Sequence, residues 1–377
     1  MNDPIRCWIL RGGTSKGVFL LDKDLPPSGP GRDHVLKAIM GTPYAAQIDG
    51  LGGGGILSSK VAILGPPTRT DADVDYLFAQ VGTALDTVSY EGSCGNISAA
   101  VGPCAMEAGL VKPREGLNRL RIHNVNTRKI IRAEFEVRNG APVSQGDYAI
   151  DGAPGRGARV LLDFAETQGS VTGKLLPLGS PLFALERGEE PPIEVSLIDL
   201  ANPVVFVRAR DFGLAGNEEH PRIDGNADLL RRIEAVRGTI AVRLGLAPAV
   251  SEASRVSPYL PFICCIAPPM EAKVLGRSAP LPADQVDVTA RLIGHNQLHP
   301  SFPGTGAAAL AAAARTEGSL VAEAVPAAAR DRDRIRIGHP SGVLEVEIRG
   351  SARGGFERIA IGRTWRKILE GRVFLKA

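Results

Sequence analysis

A cysteine at the start of a run of small residues is the first candidate for chemistry in this chain. Cys94 precedes Gly95 and Asn96 in the stretch EGSCGNISAAVGPCAMEAGLV, which predicts a helix. A thiol at a helix N-terminus has a pKa below its usual value of about 8.5, so its thiolate could take a proton from carbon and return it elsewhere. Lone cysteines are also among the most buried residue types, so a place in the core is the alternative interpretation.

A lysine beside a glycine run is the second candidate. Lys60 follows DGLGGGGILSS and opens the apolar run KVAIL. Glycines let the backbone come close to a ligand. A lysine placed there can pair with a carboxylate, or act as a base when burial removes it from water. A solvated lysine at the end of a strand is the commoner alternative.

The other motifs give weaker signals. Cys7, Cys104, Cys264 and Cys265 lie in apolar runs and are expected in the core. The histidines are scattered, and His299 is the best placed of them because it lies just before PGTG. No CxxC, HExxH or GxSxG motif occurs, so neither a zinc site nor a serine-hydrolase elbow is expected. RGGTSKG and GSVTGKLLPLG both depart from the Walker pattern, which argues against nucleotide binding.

Composition limits the class of protein. The chain has 377 residues, 44% of them hydrophobic and 23% charged, which is typical of a globular protein with two domains. The net charge is only +3 and no dense basic block occurs, so we expect no nucleic-acid partner. No apolar run is long enough to span a membrane, and the N-terminus does not resemble a signal peptide. The five cysteines form no disulfide framework, so we expect a cytoplasmic protein.

The pattern of short apolar runs predicts an α+β fold dominated by strands. Runs such as KVAILG, ARVLLDF, PVVFVRA and RIRIG are rich in β-branched residues and bounded by turn signals. The clearest amphipathic helix is predicted over residues 226–246, and a shorter one over residues 33–40.

The two halves of the chain resemble each other. CGNISAAVGPCAMEAGLV in the first half has a counterpart in PGTGAAALAAAARTEGSLV in the second, and in each a pair of glycines 14 residues apart brackets a helix of small residues. The charged, proline-containing segment 186–192 is the expected seam. We therefore predict one domain over residues 1–187, with residues 366–377 as a candidate addition to it, and a second over residues 188–365. If both helix N-termini point into a cleft between the domains, they would favour an anionic ligand such as a carboxylate.

The doubled layout resembles the diaminopimelate epimerase-like fold. The resemblance implies two pseudo-symmetric domains, each a curved, mostly antiparallel sheet around a central small-residue helix. Epimerases of that kind place one cysteine at each helix N-terminus. Cys94 matches the first of these, but Pro303 occupies the second position, directly before Gly304-Thr305-Gly306. A racemase that uses two thiols is therefore excluded.

The chain more specifically resembles the PrpF family. RGGTSKGVFL, DGLGGGGILSSKVAIL, SCGNISAAVGPCAMEAGL and IDLANPVVFV occur in the order that the family shows, and the matching motifs span nearly the whole chain. The resemblance implies a cofactor-independent isomerase that moves a double bond or proton in an unsaturated di- or tricarboxylate, such as methylitaconate, aconitate or oxalomesaconate. It also implies Lys60 and Cys94 as the acid/base pair, without deciding which is the base.

The remaining site residues are predicted to hold substrate carboxylates. They are Arg11, Ser15, Lys16, Gly53, Gly54, Gly55, Gly95, Asn96, Asn202, His299, Gly304, Thr305 and Gly306. We expect no metal and no cofactor, a small polycarboxylate as partner, and a possible homodimer. The alternative function is a non-catalytic carboxylate-binding protein that acts beside a dehydratase.

Overall fold

The computed structural model describes residues 4–187 and 190–375. By their contacts, the residues group into two compact units. The first contains the residues up to 162 together with those from 362 onward, and the second contains residues 163–361. The boundary predicted at 187/188 includes residues 188 and 189, which lie outside the described residues. Arg187 lies opposite Glu190 in an antiparallel strand pair of the second unit.

The first unit has strands and two helices in the chain order that follows. They are β1 (Ile5–Gly12), β2 (Ser15–Leu21), α1 (Pro30–Met40), β3 (Lys60–Gly65), β4 (Val74–Val81), β5 (Val88–Ser89), α2 (Ser98–Glu107), β6 (Gly116–Asn124), β7 (Lys129–Arg138), β8 (Ala141–Pro142), β9 (Tyr148–Ala149), β10 (Arg156–Gly157) and β11 (Arg159–Asp163).

The strands of the first unit pair in alternating directions. The pairs β1–β2, β3–β4 and β6–β7 are antiparallel, whereas β2–β3 and β4–β6 are parallel. Helix α2 follows β4 along the chain, and every residue from Ser98 to Met106 is buried. Its small side chains let it pack closely, because a Cβ added at Gly102 would lie 2.5 Å from the Phe135 ring on β7.

The second unit contains the remaining helices and strands. They are β12 (Phe183–Arg187), β13 (Glu190–Leu200), β14 (Asn202–Arg208), α3 (His220–Asp224), α4 (Ala227–Arg243), α5 (Ala253–Val256), β15 (Phe262–Ala267), β16 (Val288–Gly294), β17 (Gln297–Leu298), α6 (Gly304–Ala314), α7 (Leu320–Ala324), α8 (Ala327–Arg330), β18 (Arg334–His339), β19 (Gly342–Ser351) and β20 (Gly355–Val373), whose residues from 362 belong to the first unit.

The sheet of the second unit also alternates. The pairs β13–β14, β15–β16 and β18–β19 are antiparallel, and β14–β15 and β16–β18 are parallel. Helix α6 follows β16 and the short strand β17, and all of its residues are buried. Seven of its eleven residues are alanines, whose side chains occupy little space between backbone and sheet.

The structure confirms the main predicted elements. The amphipathic helix expected over residues 226–246 is α4, with the Asn226 side chain accepting a hydrogen bond from the Leu229 backbone N–H as an N-cap. The four cysteines assigned to the core are buried, and Cys94 is half-buried. Within the described ranges, no helix is both long enough and apolar enough to cross a membrane.

Candidate active site

Lys60 is the first residue of β3, where its side chain is buried. It lies opposite Gln80 in the antiparallel β3–β4 pair, and its Nζ donates a 2.5 Å hydrogen bond to Gln80 Oε1. The amide of Gln80 is oriented for this role because its Nε2 donates to the Ser59 carbonyl at 2.8 Å. Nζ also lies 5.3 Å from the centre of the Phe78 ring. Lys60 is therefore held by a neutral acceptor and an aromatic face.

Burial changes the acid–base behaviour of Lys60. Removal from water lowers its pKa below the ordinary value of 10.5, while the negative charge of a Cys94 thiolate acts in the opposite direction. Cys94 is thus close enough to act electrostatically on Lys60. A lysine with a lowered pKa can supply a neutral amine, which is the form that removes protons.

Cys94 begins the turn that leads into α2. Its carbonyl accepts hydrogen bonds from both the backbone N–H and the Oγ of Ser98, at 3.0 and 2.9 Å. The first N–H groups of such a turn have no acceptor one turn earlier, so they carry a partial positive charge beside the thiol. The Tyr76 phenol lies in the same neighbourhood: burial, followed by the charge of Cys94, raises the pKa of Tyr76 well above its usual value.

Three glycines bring the β1–β2 hairpin against the start of α2. A Cβ added at Gly12 would lie 2.5 Å from the Asn96 carbonyl oxygen, and one at Gly13 would lie 2.3 Å from Asn96 Oδ1. A Cβ at Gly17 would lie 3.0 Å from the Lys60 carbonyl oxygen and 3.1 Å from Ile97 Cδ1. The absence of these side chains brings the backbone of Lys60 and the first turn of α2 to the same hairpin.

The predicted hairpin residues have different surroundings. Arg11 Nη1 donates to the Gly13 carbonyl at 2.8 Å and to Thr364 Oγ1 at 2.9 Å, so Arg11 fixes the hairpin to β20. Burial, and then the charge of Arg366, lowers the pKa of Arg11. Ser15 is buried, and its Oγ has no hydrogen-bond partner.

The glycine run before Lys60 is held by a side chain that the sequence did not single out. Gln47 is buried in the left-handed region with φ of +49°, and its Oε1 accepts from the Gly54 backbone N–H at 3.0 Å. Its Nε2 donates to Ser59 Oγ at 2.7 Å. A Cβ at Gly53 would lie 3.2 Å from Lys16 Nζ, which places the ammonium of Lys16 beside the glycines.

The predicted residues of the second unit surround the start of α6. Asn202, the first residue of β14, donates from Nδ2 to Thr305 Oγ1 at 3.0 Å, and both residues are buried. His299 Nδ1 accepts from the Ser301 backbone N–H at 3.2 Å. Gly304 and Gly306 belong to the first turn of α6, and Pro303 is its N-cap, so this helix start carries no thiol.

The GSVTGK segment binds a carboxylate of the protein itself. The Asp199 carboxylate accepts hydrogen bonds from the backbone N–H groups of Ser170, Val171 and Thr172 at 3.0, 2.9 and 2.6 Å. The loop therefore wraps around a side chain of its own unit, as a phosphate loop wraps around a phosphate.

The structure thus brings together the predicted residues of the first unit. The glycines of the hairpin bring the Lys60 backbone and the Asn96-Ile97 turn after Cys94 together, whereas Asn202 and Thr305 contact each other in the second unit. Sequence reasoning missed Gln80, Gln47 and Tyr76, because only strand register and loop path bring them to Lys60 and Cys94. Among residues 4–187 and 190–375, no three His, Cys, Asp or Glu side chains cluster in a way that could hold a metal ion.

Comparison with known structures defines the fold class first. The chain is similar to a probable proline racemase from Agrobacterium radiobacter, with a TM-score of 0.54 and 14% identity over 99% of this chain and 93% of that one. This likeness concerns the fold alone, which is the racemase/epimerase-like mixed fold dominated by sheet. A methylitaconate-delta-isomerase crystal structure is more similar, with a TM-score of 0.82 and 43% identity over 98% of this chain and 95% of that one.

Sequence comparison then identifies the family. The family described as PrpF protein matches residues 3–376, so the chain belongs to the PrpF family, as the motifs predicted. The 3-methylitaconate isomerase of Eubacterium barkeri is 43% identical over 100% of this chain and 99% of its own length. The 4-oxalomesaconate tautomerase of Pseudomonas putida is 37% identical over 97% of this chain and 95% of its own length.

Proposed function

We propose that this protein is a cofactor-independent isomerase of an unsaturated di- or tricarboxylate. The reaction would be a 1,3-proton shift that moves a carbon–carbon double bond, or the related cis–trans isomerisation. The observation that carries the proposal is the packing of the first unit, in which Gly17 brings the backbone of the buried Lys60 against the helix start that follows Cys94. The names of the relatives support it, since they are isomerases and a tautomerase of such acids.

The proposed mechanism uses Lys60 and Cys94 as the acid/base pair. One of them removes a proton from a carbon next to the alkene, and the other returns a proton at the far carbon. The intermediate is an extended enolate, whose negative charge would be stabilised by the backbone N–H groups of residues 95–97, in the turn that leads into α2. The base could be the Lys60 amine, which is hydrogen-bonded to Gln80, or a Cys94 thiolate. In each case the other residue donates the proton.

Substrate carboxylates are proposed to bind to the polar groups around the glycines. In the first unit these are Ser15, Lys16, Asn96 and the backbone of Gly53, Gly54, Gly55 and Gly95. Arg11 contributes positive charge, although its Nη1 is engaged with Gly13 and Thr364. Asn202, His299, Gly304, Thr305 and Gly306 of the second unit are proposed to bind substrate as well.

We also propose that the two units are structural repeats of each other. In each, an antiparallel pair is followed by a parallel, an antiparallel, a parallel and an antiparallel pair. One hydrogen-bonded pair also recurs: Arg121 donates from N and Nη2 to Asp73 at 2.7 Å, and Arg336 donates from the same atoms to Asp287 at 2.8 Å. A duplicated fold accounts for both similarities.

Proton NMR in deuterated water tests the proposed function. The purified chain is incubated with methylitaconate, aconitate and oxalomesaconate, and the alkene protons are followed. An isomerase moves the alkene or incorporates deuterium in at least one of the three acids. A protein that raises its melting temperature with these acids but leaves every signal unchanged would be a carboxylate-binding protein, and the proposal would be wrong.

A further inference from the structure

A buried arginine in β20 has no acidic partner. Arg363 is 4% exposed, its Nη1 donates to the Gly362 carbonyl at 2.9 Å, and its Nε has no hydrogen-bond partner. No carboxylate in the described part of the chain lies within ion-pair distance of it. Burial lowers the pKa of Arg363 to about 10, so even a guanidinium is disfavoured by this environment.

Three other buried arginines of the described residues have ion-pair partners or more hydrogen bonds than Arg363. Arg32 forms an ion pair with Asp22 at 2.8 Å, and Arg237 forms one with Glu234 at 2.6 Å. Arg291 lacks a carboxylate, but its Nε and Nη1 donate to backbone carbonyls at 2.7 and 3.0 Å. A buried cation without an anion is costly. An arginine left in that state in the folded chain is therefore a candidate for binding an anion from outside.

The Arg363 side chain extends from β20 to the turn that leads into α2, which begins at the proposed acid/base residue Cys94. A Cβ added at Gly13 would lie 3.0 Å from Arg363 Cδ and 2.3 Å from Asn96 Oδ1, so the arginine stem and the asparagine flank the same glycine. Gly13 has φ of +54°, which places it in the left-handed region. Asn96 follows Cys94 by two residues along the chain.

A second buried polar group faces the same helix start without a partner. Ser15 is 2% exposed, and its Oγ makes no hydrogen bond. Ser15 lies opposite Gly12 and two residues before Gly17, so it shares their face of the sheet, and both glycines contact the Asn96-Ile97 turn. At the first residue of β14 in the second unit, by contrast, Asn202 is hydrogen-bonded to Thr305.

We propose that Arg363 and Ser15 form a carboxylate-binding subsite at the start of α2. The guanidinium neutralises one substrate carboxylate, Ser15 Oγ donates to it, and the backbone N–H groups of residues 95–97, in the turn before α2, add further donors. The subsite places the carboxylated end of the substrate beside Cys94. This inference rests on the proposed function for its role in turnover, but it makes a separate statement about anion binding.

Three variants of Arg363 test the subsite in steady-state assays. Arg363→Met should raise KM for a dicarboxylate alkene about 100-fold or more, because a desolvated charge pair is lost. Arg363→Lys should recover only part of the lost KM effect. An ammonium cannot form the two parallel hydrogen bonds that a guanidinium can make to a carboxylate. Added guanidinium ion should restore part of the activity of Arg363→Ala, which a merely structural role would not produce. Arg372→Met, at an exposed position of the same strand, is the matched control and should keep the wild-type KM.

Binding of a saturated acid tests the subsite independently of the proposed isomerase activity. Succinate, which has no double bond to move, should bind the wild-type chain in isothermal titration calorimetry and bind Arg363→Met at least 30-fold more weakly. Ser15→Ala provides a second test, with a several-fold loss expected. If the wild-type chain isomerises none of the test acids but succinate binding still depends on Arg363, the function is wrong and the subsite stands. If folded Arg363→Met keeps the wild-type KM and the wild-type affinity for succinate, the proposed subsite is wrong and the proposed function is unaffected.

Discussion

Replacement of Lys60 by methionine gives the sharpest separation between activity and stability. Methionine keeps most of the volume and the unbranched stem of lysine but removes the ammonium and its proton. The Lys60 Nζ has a neutral acceptor, Gln80 Oε1, at 2.5 Å and the Phe78 ring at 5.3 Å. The substitution therefore deletes the proposed acid/base group without leaving an unpaired buried charge.

The two effects have different expected magnitudes. Loss of a positioned acid/base group should lower kcat by about 10²–10⁴-fold. The unfolding free energy should change by less than about 2 kcal/mol, because relief from burying an ammonium offsets the lost hydrogen bond to Gln80. A variant that is nearly inactive yet normally stable is the expected result.

The pH dependence of stability has a definite sign. Burial lowers the pKa of Lys60 below 10.5, so between the lowered value and 10.5 the unfolded chain binds more protons than the folded chain at this residue. The contribution of Lys60 to the free energy of unfolding therefore rises with pH across that window. Below the lowered pKa, the full cost of burying the ammonium is present. Lys60→Met should lack this contribution, so its stability relative to the wild-type chain should fall as pH rises toward 10.5.

Initial rates and urea unfolding at several pH values measure these effects. Lys112→Met is the matched control, since Lys112 is exposed in the same unit, and it should leave both rate and stability unchanged. Wild-type kcat in Lys60→Met would refute the role of Lys60. A loss of several kcal/mol in unfolding free energy would refute the statement that burial of the ammonium disfavours the folded state.

Three further changes test other parts of the account. Cys94→Ser should lower kcat about 10²-fold or more with little change in urea midpoint; an unchanged kcat would contradict the role of the thiol. Gly12→Ala should lower kcat, because its Cβ would lie 2.5 Å from the Asn96 carbonyl oxygen, whereas Gly31→Ala, with its nearest neighbour at 4.0 Å, should not; equal rates would contradict the packing argument. Asp199→Asn should cost about 2–4 kcal/mol in urea unfolding, since three backbone N–H groups donate to that carboxylate; a neutral result would contradict it.

Local sequence signals predicted the elements well where hydrophobic runs have clear boundaries. KVAILG is β3 without a shift of either end, and the two small-residue stretches contain the buried helices α2 and α6. Gly109, the later glycine of the pair that brackets the first small-residue helix, has φ of +77° and so lies in the left-handed region that glycine favours. Each of these outcomes depends on residues close together in the chain, where propensity and periodicity apply.

Features that depend on long-range pairing could not be read from the sequence. Gln80 meets Lys60 because of the β3–β4 register, and Arg363 reaches the start of α2 because β20 pairs with β1 from the far end of the chain.

Deuterium transfer in the wild-type chain and in Lys60→Met and Cys94→Ser tests whether these two side chains move the proton. Proton NMR in deuterated water would follow the carbon-bound protons and the alkene of one turned-over acid, with each protein at equal folded concentration. We expect the wild-type chain to move the alkene with deuterium at the receiving carbon, and Lys60→Met and Cys94→Ser each to slow this reaction about 10²-fold or more. Wild-type rates of alkene migration in both variants would contradict the claim that Lys60 and Cys94 transfer the proton.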